Sequence, residues 1–143
     1  MDLELRGKNV LVTGASKGIG LAGERNRSDY IAGSSGNAAL MAFTRALGAE
    51  SVDHGIRVVG VNPGRIETER QIKHMKEAAE KKFGDSARWQ EIVKEVSKTL
   101  PFKRSGRADE VADLVVYLAS ARASYISATV ITIDAGQSLR ARA

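Results

Sequence analysis

An α/β fold with a small parallel sheet is predicted by three observations. The short apolar run Val10-Leu11-Val12 enters a glycine-rich turn. Two further apolar runs, residues 56–61 and 128–134, each end in a glycine-bearing turn. Between the runs lie segments with apolar residues at helical spacing. The order strand, helix, strand, helices, strand calls for crossover connections, which run right-handed and return each strand parallel to the last. Three strands are visible, with helices expected on both faces. The 143 residues fit a single domain, 1–143.

Residues 8–13 read as a buried parallel strand, short, apolar and ended by glycine. The turn Thr13-Gly14-Ala15-Ser16-Lys17-Gly18-Ile19-Gly20 follows it. Glycines at this spacing bare backbone N–H groups, and a helix beginning there presents its N-terminus to a pyrophosphate, although glycine-rich turns also occur without a ligand. Residues 21–33 are polar and irregular. Ser34 or Ser35 is suited to cap a helix that runs to about Glu50, with Leu40, Phe43 and Leu47 on one face. Residues 56–61 form the second strand, closed by Asn62-Pro63-Gly64.

Thr68-Glu69-Arg70-Gln71 is a capping-box pattern. The helix behind it carries Ile72, Met75, Ala79 and Phe83 on one stripe and stops at Gly84. Ser86 opens another helix with Trp89, Ile92, Val93 and Val96 aligned, and Pro101 ends the segment. Both stripes read as packing surfaces rather than ligand contacts. Val111, Leu114, Val115 and Leu118 mark a further helix, and residues 128–134 form the last strand.

Composition narrows the function classes. Hydrophobic residues make up 43% of the chain, enough for a packed core. There is no cysteine, which excludes disulfide and thiol chemistry and implies no oxidising compartment. The start Met1-Asp2-Leu3-Glu4-Leu5-Arg6 lacks the apolar core of a signal peptide, and no apolar run approaches the ~18 residues of a membrane span. The expectation is a cytoplasmic protein without a membrane partner. The net charge of +5 comes from charges that mostly alternate in sign, which reads as a solvated surface and not a nucleic-acid stripe. His54 and His74 have no Asp, Cys or second His at ligand spacing, so no metal site is expected.

The opening turn, with its Thr-Gly-x-x-x-Gly-x-Gly spacing, resembles the fingerprint of the short-chain dehydrogenase/reductase family. Three later stretches are similar to the same family in the same order. Gly55-Ile56-Arg57-Val58-Val59-Gly60-Val61-Asn62-Pro63-Gly64 looks like its late strand and Pro-Gly cofactor loop. Arg107-Ala108-Asp109-Glu110-Val111-Ala112 resembles the start of its last helix. Ile131-Thr132-Ile133-Asp134-Ala135-Gly136 is similar to its final strand and Asp-Gly-Gly turn, with Ala135 in place of the first glycine. The resemblance implies a Rossmann-like three-layer fold and an oxidoreductase that moves a hydride between a nicotinamide and a carbonyl or alcohol on a small-molecule substrate.

Residue by residue, it assigns cofactor contacts to Gly14, Ser16, Lys17, Gly18, Ile19, Gly20, Pro63, Gly64, Ile66 and Thr68. Lys17, before the second glycine, favours NADP over NAD. Thr68 also suits a plain helix cap. Members of the family associate through the helix matching residues 34–50 and through the last helix and strand, so a homo-oligomer is implied.

The resemblance is also interrupted. A complete member has seven parallel strands, and here on the order of 100 residues are missing at ~30 residues per strand–helix unit. Leu21-Ala22-Gly23-Glu24-Arg25 is similar to the segment after the family's fifth strand. Residues 1–20 therefore match the family's N-terminus and residues 21–143 its C-terminal part, a truncated domain joined near Ile19-Gly20. The acid expected roughly 20 residues after the last glycine is Leu40. Matching Ala38-Ala39-Leu40 to the family puts Gly33 at the catalytic Tyr position, Asn37 at the Lys position, and the upstream Ser near Gly20. None of these can perform the family's acid–base role. Tyr30, seven residues before Asn37 and about two helical turns away, is the nearest candidate phenol. Ser34 and Ser35 read as caps and not as catalytic hydroxyls. The alternative to an active oxidoreductase is a catalytically inactive remnant, serving as an oligomerisation or dinucleotide-binding module.

Overall fold

The computed structural model describes residues 28–140. The expected first strand and the turn carrying Gly14, Ser16, Lys17, Gly18, Ile19 and Gly20 lie outside the described residues. Within them, two strands pair in parallel, β1 (Val59–Pro63) and β2 (Thr129–Ile133), in register from Val59 against Thr129 to Pro63 against Ile133. They are the cores of the two expected runs; β1 is shifted toward Pro63.

Residues 28–33 are not irregular as the sequence suggested. A 3-10 turn, Ser28–Tyr30, leads directly into α1 (Ile31–Ser51). Tyr30 takes the N-cap position, with no side-chain cap bond. Ser34 and Ser35 therefore lie inside the helix, past its N-cap position, because the helix begins at Ile31; Ser34 is buried. The face that α1 buries is small and polar: Ser34, Thr44, Gly48 and Ser51. The hydroxyls of Thr44 and Ser51 donate back to the Leu40 and Leu47 carbonyls at 2.8 and 2.7 Å, which removes the cost of burying them. Gly48 lets the helix touch the sheet backbone, since a Cβ there would stand 2.6 Å from the Ala128 Cα and 2.9 Å from the Val58 carbonyl oxygen. The Ser127 hydroxyl completes the junction, donating to the Gly48 carbonyl and accepting from the Val58 N–H. The stripe Leu40, Phe43 and Leu47 faces outward, 45%, 60% and 40% exposed.

Three helices connect β1 to β2. α2 (Glu69–Phe83) and α3 (Trp89–Thr99) form a hairpin. The Thr68 hydroxyl accepts from the Gln71 N–H at the start of α2, and Gly84 ends it with φ +69. Between them Asp85 caps the turn into α3. Met75, Ala79 and Ile92 form a buried cluster against which Ala78, Phe83, Trp89, Val93 and Val96 pack, as the two stripes predict. α4 (Ala108–Ala119) packs on β1 and ends at the buried Leu118 and Ser120. Its last turn is tied down by Arg57, whose guanidinium donates to the carbonyls of Leu118, Ser120, Ala123 and Ile126. A helix end leaves carbonyls short of backbone donors; those of Ser120 and Ala123 also accept from the Ala123 and Ile126 N–H groups. Among the described residues no helix is long and apolar enough to cross a membrane.

Candidate functional site

In a parallel sheet, ligands sit in the crevice beyond the carboxyl ends of the strands. Here that end is marked by Pro63 on β1 and Ile133 on β2, which are partners in the register. The two loops that leave it are stitched together. The Gly64 N–H donates to the Ile133 carbonyl at 3.0 Å. A Cβ on Gly64 would meet Asp134 Cβ at 2.6 Å, so glycine is what allows the Pro-Gly turn to nest on the loop after β2. Asp134 shapes that loop, its carboxylate accepting from the Gly136 and Ser138 N–H groups at 2.8 and 2.6 Å. Ala135, standing where the family pattern has glycine, holds φ +54.

Beyond Gly64 the chain pairs with the residues before α4. The Gly106 N–H donates to the Arg65 carbonyl at 2.9 Å, and the Glu67 N–H donates to the Gly106 carbonyl at 2.8 Å. Ile66 is thus bridged to Gly106 while its own N–H points away from that partner. This N–H has no hydrogen-bond partner among the described residues. The end of the Ile66 side chain packs over Gly106, with Cδ1 2.7 Å from where a Cβ would be. The loop is pinned from α4 by Glu110, which accepts from the Arg107 N–H at 2.7 Å and pairs with Arg104 at 2.6 Å. The Arg104 guanidinium, and then the Arg107 N–H, hold the Glu110 carboxyl down to about 2.

Of the expected contacts, Pro63, Gly64, Ile66 and Thr68 therefore fall in one loop at the carboxyl end of the sheet. Thr68 is exposed and acts as the α2 cap. Of these, Ile66 offers an unspent amide donor that a ligand could use, whereas the Cβ side of Gly64 is already filled by Asp134. The expected contacts from Gly14 to Gly20 lie outside the described residues.

Tyr30 reaches the same end of the sheet. Gly48 meets Val58 and Ala128, just before the strands begin, whereas Thr44 meets Gly60 further along β1. α1 thus runs antiparallel to the strands. At ~1.5 Å per helical residue and ~3.3 Å per strand residue, the level of Pro63 is reached about seven residues before Thr44, at Asn37. Gly33 and Tyr30 stand beyond the strand ends. A Cβ on Gly33 would overlap the Tyr30 ring, so the phenol occupies the space in which a side chain at position 33 would begin. The Asn37 amide donates to the Gly33 carbonyl at 2.8 Å, bracing this turn. Tyr30 is 39% exposed.

Sequence reasoning missed two features of this site. Asn62 is 2% exposed, donates to the Thr132 hydroxyl at 3.2 Å, and leaves its buried Oδ1 without a partner among the described residues. Arg65, next in the chain after the Pro-Gly turn, is half-buried. Its signal was available: it stands between two expected contacts, Gly64 and Ile66. Among the described residues no group of three or more His, Cys, Asp or Glu is gathered to hold a metal ion. His54 is exposed, and His74 lies 3.2 Å from Glu77 on the surface of α2.

A family model described as enoyl-(acyl carrier protein) reductase matches residues 19–138. Levodione reductase of Leifsonia aquatica is 35% identical over 133 residues, covering 93% of this chain and 46% of that protein. Sorbitol-6-phosphate 2-dehydrogenase of Klebsiella pneumoniae is 36% identical over 129 residues, covering 89% and 46%. The L-sorbose reductase of Gluconobacter frateurii, solved with NADPH and L-sorbose, superposes with a TM-score of 0.67 at 33% identity, covering 73% of this chain and 39% of that one. The chain spans about half the length of the curated relatives it matches.

Proposed function

Because the chain belongs to the short-chain dehydrogenase/reductase family, we propose that it acts as an NAD(P)-dependent oxidoreductase on a small carbonyl or alcohol substrate, with Tyr30 as its proton-exchanging group. The observation that carries this reading is the overlap of the Tyr30 ring with the side-chain space of Gly33, the position matching the family's catalytic tyrosine. A phenol at the carboxyl end of the sheet can give a proton to a carbonyl oxygen or take one from an alcohol. Asn37 cannot stabilise negative charge developing on the phenol oxygen as a lysine would, since a carboxamide carries no charge. Turnover is therefore expected to be slow. A bound nicotinamide supplies the hydride acceptor or donor. Pro63, Gly64, Ile66 and Thr68 would hold that end of it, and Gly14, Ser16, Lys17, Gly18, Ile19 and Gly20 its phosphates. NADP is favoured by Lys17 and by relatives described with NADPH. A cytoplasmic setting completes the reading.

Calorimetric titration with NADPH and NADH, followed by nicotinamide absorbance assays on ketones and alcohols, tests it. NADPH binding with slow turnover is expected, and Tyr30→Phe should lower the rate by about 100-fold while leaving nucleotide affinity unchanged. Turnover indifferent to Tyr30→Phe would remove this residue from the chemistry.

A second reading rests on the exposed stripe Leu40, Phe43 and Leu47. Apolar residues aligned on one helix face mark an association surface. The chain would then serve as an oligomerisation or dinucleotide-binding module without turnover, and in either case as a homo-oligomer. Sedimentation of the Phe43→Lys variant separates the cases, since a monomer retaining NADPH binding assigns the stripe to assembly alone. We read residues 1–20 and 21–143 as one truncated domain with the middle excised. The family match beginning at residue 19 supports that junction, and aligning the encoding gene with an intact relative tests it.

A further inference from the structure

Of the described arginines, Arg57 and Arg65 are half-buried and the rest are exposed. Arg88 pairs with Glu91, Arg104 with Glu110 and Arg107 with Asp109. Arg57 has no acid but is spent on four carbonyls. Arg45, Arg70 and Arg122 also make no ion pair among the described residues, but they stand in solvent, whereas Arg65 does not. It is half-buried, and no carboxylate oxygen of the described residues lies within 4.0 Å of it. Glu67 and Glu69, its neighbours in sequence, are exposed and make no ion pair with it.

Its one side-chain partner is Gln71, on the first turn of α2. With the carboxamide oriented so that its nitrogen donates to the Ile66 carbonyl, the Gln71 oxygen accepts from Arg65 Nε at 2.7 Å and Nη2 at 2.9 Å. That contact aims the guanidinium and leaves three of its five N–H donors unspent. Gln71 therefore fixes the cation without neutralising it. The positive end of the α2 dipole lies at the same turn and adds to the uncompensated field. Burial pushes the Arg65 guanidinium below its ordinary value, the mark of a cation that lacks a counter-charge.

We propose that Arg65 recognises an oxyanion, a carboxylate or phosphate group, on the substrate. The inference rests on the oxidoreductase reading for the word substrate, and on Arg65 itself for the charge. A guanidinium with a free fork suits a planar or tetrahedral oxyanion. Its position immediately after the Pro63-Gly64 turn sets that group at the carboxyl end of β1, where the nicotinamide end of the cofactor is expected. The substrate class is thus an anionic carbonyl compound or its alcohol.

The test compares matched pairs on the full chain saturated with NADPH: pyruvate against its neutral amide, and dihydroxyacetone phosphate against dihydroxyacetone. At least one anionic member should bind about tenfold more tightly than its neutral partner, and the pair that shows the preference identifies the oxyanion. Arg65→Gln should abolish the preference. Gln71→Glu should abolish it as well, because the new carboxylate supplies the missing counter-charge, and it does so without removing the arginine. Equal binding within both pairs, or a preference that survives both substitutions, overturns the proposal. A tenfold loss of NADPH affinity in Arg65→Gln, with no preference in either pair, assigns the charge to the cofactor's phosphates and overturns it too. A parallel titration of the nucleotide-free protein with inorganic phosphate follows the Arg65 Nε–H resonance. A response there without any NADPH binding sinks the oxidoreductase reading and keeps the oxyanion site, whereas no response in either form sinks the site.

Discussion

The α2–α3 hairpin and the α1–sheet junction are held by different physics. In the hairpin, apolar side chains from both helices meet: Met75 and Ala79 from one, Ile92 from the other, with Phe83, Trp89 and Val96 around them. The Phe83 ring also carries the Arg88 guanidinium 4.0 Å from its centroid, and Arg88 is in turn held by Glu91. At the junction almost nothing large is buried. Gly48, Thr44 and Gly60 bring backbone close to backbone, and α1 turns its large apolar residues outward. The hairpin is stabilised by area removed from water, whereas the junction depends on closeness. Truncating a side chain should therefore damage the first, and adding one should damage the second.

The largest effect is expected from Ile92→Ala. It removes a buried branched side chain from the centre of the hairpin cluster and should cost about 3 kcal/mol. Hydrogen exchange should show faster exchange concentrated in α2 and α3, with β1 and β2 less affected. Equal acceleration everywhere would mean that the two regions form one cooperative unit, and the contrast drawn above would fail.

Gly48→Val asks the opposite question. A side chain there meets the Ala128 and Val58 backbone, which cannot swing aside as a flexible side chain would, so α1 must lift from the sheet. A loss of about 2 kcal/mol is expected. Gly36, on the same helix, has nothing within 4 Å of its Cβ position. Gly36→Ala should instead gain up to about 1 kcal/mol through helix propensity. Chemical denaturation of the pair decides whether contact or intrinsic preference governs these two glycines.

The same contrast explains what could be read from the chain. The hairpin was legible because its burial is apolar and periodic, its start is a hydroxyl three residues before Gln71, and its stop is Gly84. The parallel strands and the Pro-Gly loop were legible from their apolar runs and their punctuation. The seating of α1 was not, because a buried face of Ser34, Thr44, Gly48 and Ser51 leaves no hydrophobic period, while Leu40, Phe43 and Leu47 do and point outward. Its start was misplaced for a related reason: Ser34 looks like a cap in the sequence and is a packing residue in the fold. Arg65 was passed over because one arginine after a turn is ordinary. Only its burial and the lack of an acid beside it make it a candidate.

A smaller effect sharpens the view of the site end of the sheet. Ala135 holds φ +54, a left-handed conformation that costs an L-residue roughly 1–2 kcal/mol. Ala135→Gly relieves this but adds freedom to the unfolded chain, so a net gain of about 0.5–1 kcal/mol is expected. Thermal unfolding measures it. A loss of stability would show that the alanine methyl makes contacts that outweigh its backbone strain.

The smallest effect concerns acid. Arg104, and then the Arg107 N–H, lower the Glu110 carboxyl from an ordinary 4.5 to about 2. A carboxyl depressed in the folded state stabilises it fully above the ordinary value, and that contribution fades as pH falls from there through the folded value. Glu110→Gln should therefore lower the melting temperature slightly near neutral pH. The gap from the unsubstituted protein should close as pH drops from about 4.5 toward 2. Because Glu110 anchors the segment that pairs Gly106 with Arg65 and Glu67, acid should loosen this loop before it touches the uncharged cluster of the hairpin. Below pH of about 3, the protection of the Gly106 and Glu67 N–H groups should fall relative to that of the Ala79 and Val96 N–H groups, after correction for intrinsic exchange. If all four weaken together, electrostatics does not distinguish the candidate site from the hairpin, and this loop does not depend on the Glu110 charge.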